Sequence, residues 1–391
     1  MGQSSLKILV NGTRLLTPLT GIGSYIRHLF SAMQRIPEAD LYMFYGTRLE
    51  KGVRLPTDSS RARLQIGYRL LLKVLPRPRF FRQMAEQAMF RFHTQNLSKE
   101  AIYHEPNYLP LVYKGPIVLT VCDMSCFDHP EAHPKERVDL MQRHLPRSLE
   151  RADHIIVISH ATKLALKRWF DVADTRMTIT YLAADLRFMP RTSSALAPIL
   201  SGLSLTPSEF VLSVGTLEPR KNLEVLFAAY SGLPALLRKR FPLVVAGMSG
   251  WNNEALIMSA KALINRGELR FLGYVPDDLM PALYSGAAVF CYPSRYEGFG
   301  LPALEAMASG VPVITSNKTS LPEVVGSAGL MTDPDDVTGL RERLQQLLED
   351  RVYAHTLAQL GLQQAKTFSW ERCAKETFSV YEKVRNVSKR T

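Results

Sequence analysis

The stretch FVLSVGTLEPRKNLEVLFAAY, residues 210–230, decides the fold because it contains a complete strand–loop–helix unit. Phe210–Val214 is a short apolar run of the kind that forms a strand covered on both faces in a parallel sheet. Gly215 follows directly, and from Asn222 to Tyr230 the apolar residues recur at helical spacing. The unit therefore predicts a parallel strand whose carboxyl end leads through a polar loop into a crossing helix.

Similar apolar runs recur on both sides of this unit, with helical stretches between them. The other predicted strands are Lys7–Val10, Ile117–Val121, Ile155–Ile158, Leu243–Ala246, Leu269–Leu272, Ala288–Tyr292 and Val311–Thr315. The other predicted helices are Ala303–Ala308 and Val337–Leu348. This alternation predicts the α/β class, with two doubly wound Rossmann-like domains that face each other across a cleft.

A change of composition marks the boundary between the two predicted domains. Residues 185–207 contain three prolines and a glycine among small polar residues, which is typical of a linker. We therefore assign residues 1–195 to a first domain and residues 205–370 to a second. The sequence is helical again over about 371–391, and this last helix could pack back on the first domain, although periodicity alone leaves its docking side open.

Composition restricts the class of protein. The 391 residues are 46% hydrophobic and include four cysteines without a disulfide or zinc pattern, which fits a reducing compartment. We find no secretory leader in the sequence and no apolar run of the roughly 18 to 20 residues that a membrane span needs. We therefore expect a cytoplasmic protein.

The formal net charge of +12 has several interpretations. It favours solubility, nucleic-acid binding, or contact with anionic lipid together with a phosphorylated substrate. The sequence shows no zinc-finger spacing, aromatic RNA-binding pattern or basic zipper, so we predict no nucleic-acid partner. In the segment 61–91, basic residues interleave with large apolar ones. This segment predicts either contact with anionic lipid at the inner face of the membrane or an ordinary solvated helix pair.

The loop that follows the strand of the quoted stretch contains the first candidate site. Gly215 and Thr216 end the strand, and the adjacent cations Arg220 and Lys221 come just before the helix. Arginine offers a bidentate fork, lysine offers a compact charge, and Asn222 is available as the helix cap, so the pair suits a diphosphate. The alternative is that the two cations only decorate a solvated helix start.

A second loop, PSRYEGFGLPALE at residues 293–305, gives a sharper pattern. Gly298 and Gly300 can expose backbone amides to an anion, and the helix expected after them points its positive end at the same place. Glu297 comes before the glycines, and Glu305 is expected in the first turn of the helix. Carboxylates on both sides of a phosphate cradle suit the recognition of sugar hydroxyls. The alternative is that both glutamates only offset the helix dipole.

Because Glu297 and Glu305 are separated by seven residues after a Pro-Ser strand end, the chain resembles the retaining glycosyltransferases of family 4, which have the GT-B fold. The resemblance extends over nearly the whole chain, and its variants are similar to a subgroup that includes mannosyl- and rhamnosyltransferases of bacterial surface polysaccharides. The other segments that resemble family motifs are Leu19–Tyr25, His104–Pro110, Cys122–Ser125, His129–Glu131, Ala152–Ser159, Val214–Asn222 and Leu272–Asp278.

The resemblance implies transfer of a sugar from a nucleotide sugar to a glycan or lipid-linked glycan, with retention at the anomeric carbon. We expect GDP-mannose as the donor, with dTDP-rhamnose or a UDP-sugar as the alternative. A sugar-nucleotide epimerase or a non-catalytic nucleotide-binding protein is the competing class. The implied catalytic residues are Arg220, Lys221, Glu297 and Asp123. The implied donor-binding residues are Gly21, Gly23, Gly215, Thr216, Tyr274, Val275, Gly298, Phe299, Gly300, Leu301 and Glu305, and the acceptor-side residues are His104, Glu105 and Asn107.

One position departs from the family pattern. Cys122 stands where the family commonly has histidine. A thiol cannot replace imidazole in a cationic or proton-shuttling role near neutral pH unless its pKa is strongly lowered. Either the role moves to a neighbour such as Asp123, or the acceptor differs.

An Asp-x-Asp pattern at Asp333–Asp335 resembles the metal-binding motif of other glycosyltransferases. It comes directly before the helical run that starts at Val337, so we interpret it, with Asp336, as a turn and helix cap. The nine histidines show no ligand spacing on one helix, and we expect neither a metal nor another cofactor.

Overall fold

Two sheets of mainly parallel strands, each accompanied by helices, organise the protein. The computed structural model describes residues 5–16, 21–54, 78–97, 101–250 and 254–388. The part of the basic segment 61–91 up to residue 77 lies outside the described residues, and so do Leu19 and Thr20.

The first sheet is formed by the amino-terminal part of the chain. Its strands are β1 Leu6–Asn11, β2 Ala39–Phe44, β3 Leu49–Lys51, β4 Ala101–Glu105, β5 Ile117–Val121, β6 His154–Val157 and β7 Met177–Ile179. Their order is β3-β2-β1-β4-β5-β6-β7, and neighbours are parallel except β2 and β3. The helices of this part are α1 Gly21–Met33, α2 Pro78–Thr94, α3 Ser125–Asp128, α4 Lys135–Arg151 and α5 His160–Trp169, with 3₁₀ turns at Thr13–Leu16, Pro130–Ala132 and Asp174–Arg176.

The second sheet is formed by the carboxyl-terminal part. Its strands are β8 Val211–Val214, β9 Leu243–Ala246, β10 Leu269–Gly273, β11 Val289–Tyr292, β12 Val313–Ser316 and β13 Leu330–Thr332. Their order is β10-β9-β8-β11-β12-β13, and neighbouring strands are parallel. The helices are α6 Ser193–Ser201, α7 Leu223–Ser231, α8 Ala235–Arg240, α9 Glu254–Asn265, α10 Met280–Ser285, α11 Leu301–Ala308, α12 Leu321–Val325, α13 Val337–Glu349 and α14 Arg351–Ala365, with a 3₁₀ turn at Pro219–Lys221.

Successive residues of the central strands pack on opposite faces of each sheet. In β1, Ile8 belongs to one apolar cluster and Leu9 to another. In β8, Val211 and Leu212 divide between two clusters in the same way. Burial on both faces explains why these strands read as continuous apolar runs instead of alternating ones. The predicted α/β class with two doubly wound Rossmann-like domains is confirmed.

The predicted linker at residues 185–207 contains a helix, α6, which is a correction. The side chain of Thr192 accepts a hydrogen bond from the amide of Ala195 at 3.4 Å and caps the helix. Leu196 and Leu200 are buried in an apolar cluster of the second sheet. Burial of these two leucines stabilises a helix that could not be predicted from the proline-rich composition.

The last helix, α15 Trp370–Ser388, packs against α1 of the first sheet. The ring of Trp370 stacks on His28 with their centroids 5.4 Å apart. Cys373 and Tyr381 are fully buried in the apolar cluster of the first sheet. The chain therefore crosses from the first sheet to the second and then returns.

The two sheets are joined by polar contacts between α12 and α5. The carboxylate of Glu323 accepts hydrogen bonds from the amides of His160 and Ala161 at 2.8 and 2.7 Å. These amides begin α5, so Glu323 satisfies donors that have no partner within the helix. Tyr181 donates to the same carboxylate at 3.2 Å.

The strand order places one ligand-binding edge on each sheet. β1 lies between β2 and β4, and β8 lies between β9 and β11. The chain therefore adds strands first on one side of β1 or β8 and then on the other, so the strand order reverses beside these two strands. Open α/β sheets bind ligands outside the carboxyl ends of strands at such points. Within the described ranges, we find no helix whose length and apolarity would let it cross a membrane.

Candidate active site

The adjacent cations Arg220 and Lys221 lie beyond the carboxyl end of β8, in a single 3₁₀ turn. Asn222 follows them in the left-handed conformation, with a φ of 57°. The sequence suggested that the side chain of Asn222 caps α7, but it does not. It donates instead to the carbonyls of Pro293 and Pro334, at 3.1 and 2.6 Å. Asn222 therefore ties the cation turn to the loop that follows β11.

Both cations contact the carboxylate of Glu297. Lys221 Nζ lies 2.6 Å from Glu297 Oε1, and Arg220 Nη1 lies 3.2 Å from Oε2. Lys221 also donates to the Tyr292 hydroxyl at 2.6 Å. Burial alone would raise the pKa of Glu297, but Lys221 and Arg220 outweigh it and hold that pKa at about 2. The structure thus brings together Arg220, Lys221 and Glu297, which lie 76 and 77 positions apart in sequence.

A second buried carboxylate, Glu218, was not identified from the sequence. Its Oε1 atom lies 2.5 Å from Arg220 Nε. Burial would lower the pKa of Arg220, but Glu297 and Glu218 together raise it. Two cations therefore face two carboxylates, and the group Glu218, Arg220, Lys221 and Glu297 is formally neutral. Its side chains are held in place before any ligand arrives.

The glycine loop after β11 touches the first sheet's side of the gap. A Cβ atom at Gly298 would lie 2.0 Å from the carbonyl oxygen of Cys122, so a side chain there would collide with backbone. The hydroxyl of Thr162 donates to the Gly298 carbonyl at 3.2 Å. Gly300 has a φ of +108° directly before α11, which favours glycine. Both glycines are therefore required by geometry at the interdomain gap.

Burial and the hydroxyl of Ser320 hold the remaining residues of this loop in place. Phe299 is buried, and Leu301 is half-buried at the first position of α11. The hydroxyl of Ser320 donates to the carbonyls of Glu297 and Phe299, at 2.9 and 2.8 Å. Ser320 is a supporting residue that gave no sequence signal, because its contact spans more than twenty positions of chain.

Glu305 lies in the second turn of α11, and its expected place in the first turn is wrong. The helix begins at Leu301, so Glu305 is its fifth residue. Burial raises the pKa of Glu305 to about 8, and the neighbouring Tyr284 hydroxyl opposes this in part. Asp277 and Asp185 raise the pKa further. The electrostatic neighbours of Glu305 therefore differ from those of Glu297, and a carboxyl group with this pKa is mostly protonated at neutral pH.

The residues predicted at the nucleotide base follow β10. Tyr274 is exposed, whereas Val275 packs into an apolar cluster of the second sheet. Two residues on, Asp277 accepts from Arg187 Nη2 at 2.8 Å and from Arg27 Nη1 at 3.2 Å. Because Arg27 belongs to α1, the helix that follows β1 lies against this part of the second domain.

Gly21 and Gly23 form the first turn of α1, where the sequence had suggested a glycine loop. A Cβ atom at Gly21 would meet nothing within 4 Å, so the helix start borders open space. Gly215 and Thr216, at the end of β8, are half-buried. A Cβ atom at Gly215 would lie 3.3 Å from Lys221 Cε, which places this glycine beside the cation pair.

Asp123 is held at the carboxyl end of β5 by a short chain of hydrogen bonds. Its Oδ1 atom accepts from the Ser125 amide at 3.0 Å and from the Ser125 hydroxyl at 2.7 Å. Ser125 Oγ in turn lies 2.8 Å from His133 Nε2. Burial and Arg137 lower the pKa of His133 to about 4, so its imidazole is neutral. Burial also raises the pKa of the Cys122 thiol, so Cys122 cannot supply a charge in the way that imidazole could.

The three predicted acceptor-side residues occupy different environments, and His104 requires a correction. His104 is fully buried, 2.6 Å from the Tyr381 hydroxyl of α15 and 2.7 Å from Thr120 Oγ1, so it does not reach the gap. Burial lowers its pKa to about 3. Glu105 accepts from Asn11 at 2.8 Å, and burial raises its pKa to about 7. When the amide of Asn107 is oriented so that its oxygen faces Arg14, that oxygen accepts a hydrogen bond from Arg14 Nη2 at 2.9 Å.

The Asp-x-Asp pattern is a turn and helix cap, as predicted. Asp336 Oδ1 accepts from the amide of Gly339 at 2.8 Å at the start of α13. Asp333 pairs with Lys318 at 2.8 Å, and Asp335 pairs with Arg295. In the part of the chain that the structure describes, histidines, cysteines and acidic residues form no group of three that could hold a metal.

Comparisons with known proteins identify relatives, one of which matches nearly the whole chain. Residues 202–364 match the family described as glycosyl transferases group 1. O-antigen chain mannosyltransferase B of Escherichia coli is 37% identical over 385 residues, which cover 96% of this chain and 100% of that protein. Serotype-specific mannosyltransferase WbdA of Escherichia coli is 38% identical over 229 residues, which cover 58% of this chain and 28% of that protein.

A solved structure matches the fold over nearly the entire chain. Sucrose-phosphate synthase from Thermosynechococcus elongatus superposes with a TM-score of 0.74 and covers 98% of this chain and 100% of that one. The two sequences are 21% identical, so this likeness concerns the arrangement of the two domains.

Proposed function

Because this chain belongs to the glycosyl transferases group 1 family, we propose that it transfers mannose from GDP-mannose, with retention at the anomeric carbon, in the synthesis of a cell-surface polysaccharide. The chain is a glycosyltransferase, and its full-length relative is an O-antigen mannosyltransferase, which supports mannose as the transferred sugar. The acceptor in this proposal is a glycan or lipid-linked glycan. The observation that carries it is the contact of Arg220 and Lys221 with Glu297 at the carboxyl edge of the second sheet.

In this proposal, the diphosphate of the donor binds beside the cation turn. Because Glu218 and Glu297 already balance Arg220 and Lys221, the phosphates would replace part of the pairing instead of meeting bare cations. The positive helix end at Leu301 adds backbone donors there. Arg220 and Lys221 then stabilise the charge that develops on the leaving diphosphate, which is electrostatic catalysis without a required metal.

The same arrangement supports a role for each flanking carboxylate. Glu297 would accept hydrogen bonds from hydroxyls of the transferred sugar, and Glu305 would accept from the ribose. In the reaction, the bond from the anomeric carbon to the phosphate oxygen breaks, and the acceptor oxygen bonds to the same face of that carbon. The acceptor proton moves to the leaving phosphate. Glu297 is held by two cations, which disfavours its use as a covalent nucleophile.

We further propose that the acceptor is reached at the inner face of the membrane, because the net charge of +12 favours anionic lipid. Sedimentation with anionic and neutral vesicles measures this contact. Equal binding to both kinds of vesicle, or to neither, would contradict it.

The donor proposal is tested by thermal-shift measurements with GDP, UDP and dTDP, followed by product analysis with labelled nucleotide sugars. We expect the largest shift with GDP, and transfer from GDP-mannose that continues in the presence of EDTA. The anomeric configuration of the product, read by NMR, tests retention. A larger shift with UDP or dTDP would contradict the donor, and an inverted product or a trapped glycosyl-enzyme would contradict the mechanism.

The role of Arg220 is tested with Arg220→Lys, which keeps a cation beside Glu218 and Glu297. Lysine cannot offer the bidentate fork, so we expect turnover to fall by roughly 100-fold while the protein stays folded. Arg351→Lys, at an exposed arginine of α14, is the matched control. Unchanged turnover in Arg220→Lys would remove the assigned role.

A further inference from the structure

A pocket beside Arg220 is lined by both domains. The first domain contributes His129 and Glu131, and the second contributes Glu218, Arg220 and Glu224 among others. Its cavity volume is about 240 Å³, below the roughly 300 to 1,000 Å³ of pockets that hold drug-sized ligands. The pocket has room for a sugar unit, whereas a whole nucleotide sugar would need a larger space.

The charges of the pocket walls disfavour an anionic ligand. The lining carboxylates are Glu131, Glu218 and Glu224, and the permanent cations are Arg220 and Arg295. Arg220 is already paired with Glu218 and Glu297, and Arg295 is already paired with Asp335. A phosphate would therefore meet more negative than positive charge. A neutral ligand with hydroxyl donors would satisfy the carboxylates.

The floor of the pocket is apolar. Leu217, Leu223 and Leu256 line it, and each is almost fully buried against the second sheet. A pyranose ring has one face of C–H groups and an edge of hydroxyls. A surface that combines leucines with carboxylates at the rim matches both parts of such a ring.

The position of the pocket connects it to the candidate active site. Arg220 forms part of its wall, and the same side chain contacts Glu297 at 3.2 Å. We propose that this pocket binds a neutral hexose unit at the growing end of the acceptor glycan. The proposal rests on the proposed sugar transfer, and it adds the chemical class of the acceptor unit: an uncharged sugar, bound by carboxylates from both domains.

Binding tests the proposal without turnover. The double variant Glu131→Ala/Glu224→Ala removes one exposed carboxylate from each wall of the pocket. The control, Glu136→Ala/Glu342→Ala, removes one exposed glutamate from each domain outside the pocket. Saturation-transfer NMR, with GDP present, measures binding of mannobiose, of methyl α-mannoside and of mannose 1-phosphate.

We expect the dissociation constant of mannobiose to rise roughly fivefold or more in the pocket variant and to stay unchanged in the control. We also expect mannose 1-phosphate to bind no more tightly than methyl α-mannoside. The proposal is overturned if the pocket variant binds mannobiose like the wild type, if mannobiose does not bind to the wild type, or if mannose 1-phosphate binds more tightly.

Kinetics separate this proposal from the function on which it rests. We expect the pocket variant to raise the KM for a mannoside acceptor while the KM for GDP-mannose and the rate of donor hydrolysis stay at wild-type values. Transfer with an unchanged acceptor KM contradicts the pocket and leaves the proposed function intact. Specific mannobiose binding by a protein that transfers sugar from none of the nucleotide sugars contradicts the proposed function and leaves the pocket as a sugar site.

Discussion

Replacing Glu297 by glutamine tests the balance of charge at the candidate active site. The change keeps the shape of the side chain but removes the charge that lies 2.6 Å from Lys221 Nζ and 3.2 Å from Arg220 Nη1. Burial and Arg220 already lower the pKa of Lys221. Loss of the carboxylate leaves this buried cation poorly compensated, which is destabilising. We therefore expect a lower free energy of unfolding at neutral pH.

The pKa of Glu297 gives the size of the effect. It is about 2 in the folded protein, against an ordinary value of 4.5. A difference of roughly 2.5 units corresponds to about 3 kcal/mol of stabilisation. Because the folded pKa is the lower one, this contribution is fully present above the unfolded pKa, near pH 4.5, and is lost as the pH falls toward 2. The variant lacks it at every pH, so the difference between the two proteins should shrink as the pH falls.

Urea unfolding at pH 7, 5 and 3.5 measures this difference, with Glu342→Gln on the exposed face of α13 as control. We expect Glu297→Gln to unfold about 3 kcal/mol more easily at pH 7, and the control to change by less than about 0.5 kcal/mol. Calorimetry with GDP tests the charge balance separately. Two cations facing only Glu218 should bind GDP several-fold more tightly, while turnover falls. Equal unfolding of variant and wild type at pH 7, or weaker GDP binding by the variant, would refute the reasoning.

Substitutions at three further positions test other parts of the molecule. Burial raises the pKa of Glu305 to about 8, so the affinity for GDP should rise by roughly tenfold between pH 7 and 9 as this carboxyl group loses its proton. Calorimetry across this range should show no such rise in Glu305→Gln, and a parallel rise in the variant would contradict the role of Glu305. Ser125→Ala removes the hydroxyl that donates to Asp123 at 2.7 Å, so turnover should fall by about tenfold at an unchanged KM for the donor, with partial recovery in Ser125→Thr. A change in the donor KM alone would contradict this role of Ser125. Glu323→Ala removes the acceptor of the His160 and Ala161 amides, so the two domains should separate more easily, and small-angle scattering without ligand should show a larger radius of gyration. An unchanged radius would show that other contacts hold the domains together.

Much of the fold could be predicted from local sequence because the central strands are buried on both faces. β5, β8, β9 and β11 all lie within one or two residues of their predicted bounds. β7 and β13 were not identified, since runs of three residues carry no periodicity. β4 was absent from the apolar pattern because its sequence, AIYHE, ends in polar residues.

The burial of those polar residues depends on partners that are distant in sequence. His104 contacts Tyr381, which is 277 positions away, and Glu105 contacts Asn11, which is 94 positions away. The resemblance to family 4 glycosyltransferases implied that His104 is an acceptor-side residue, whereas the structure satisfies its ring within the first domain. The docking side of α15 was open in the sequence for the same reason.

The candidate site shows the same division between local and distant information. Arg220, Lys221 and Glu297 could be selected because each lies in a loop directly after a predicted strand, and carboxyl ends of parallel strands share one edge of a sheet. Glu218 lies in the same loop, but only the fold shows that it turns back onto Arg220. The interaction of Ser320 with the loop after β11 depends on the pairing of β11 with β12, which the local sequence does not contain.

The return of the chain to the first sheet affects synthesis on the ribosome. Trp370, Cys373 and Tyr381 fill the core beside α1, yet they are made after the whole second domain. Domains usually fold in order as they emerge. The second domain can therefore fold while the first domain still lacks α15, so the core of the first domain stays partly uncovered until that helix has been made. Loss of α15 would therefore damage the first domain, and a chaperone that binds nascent chains would find its target there.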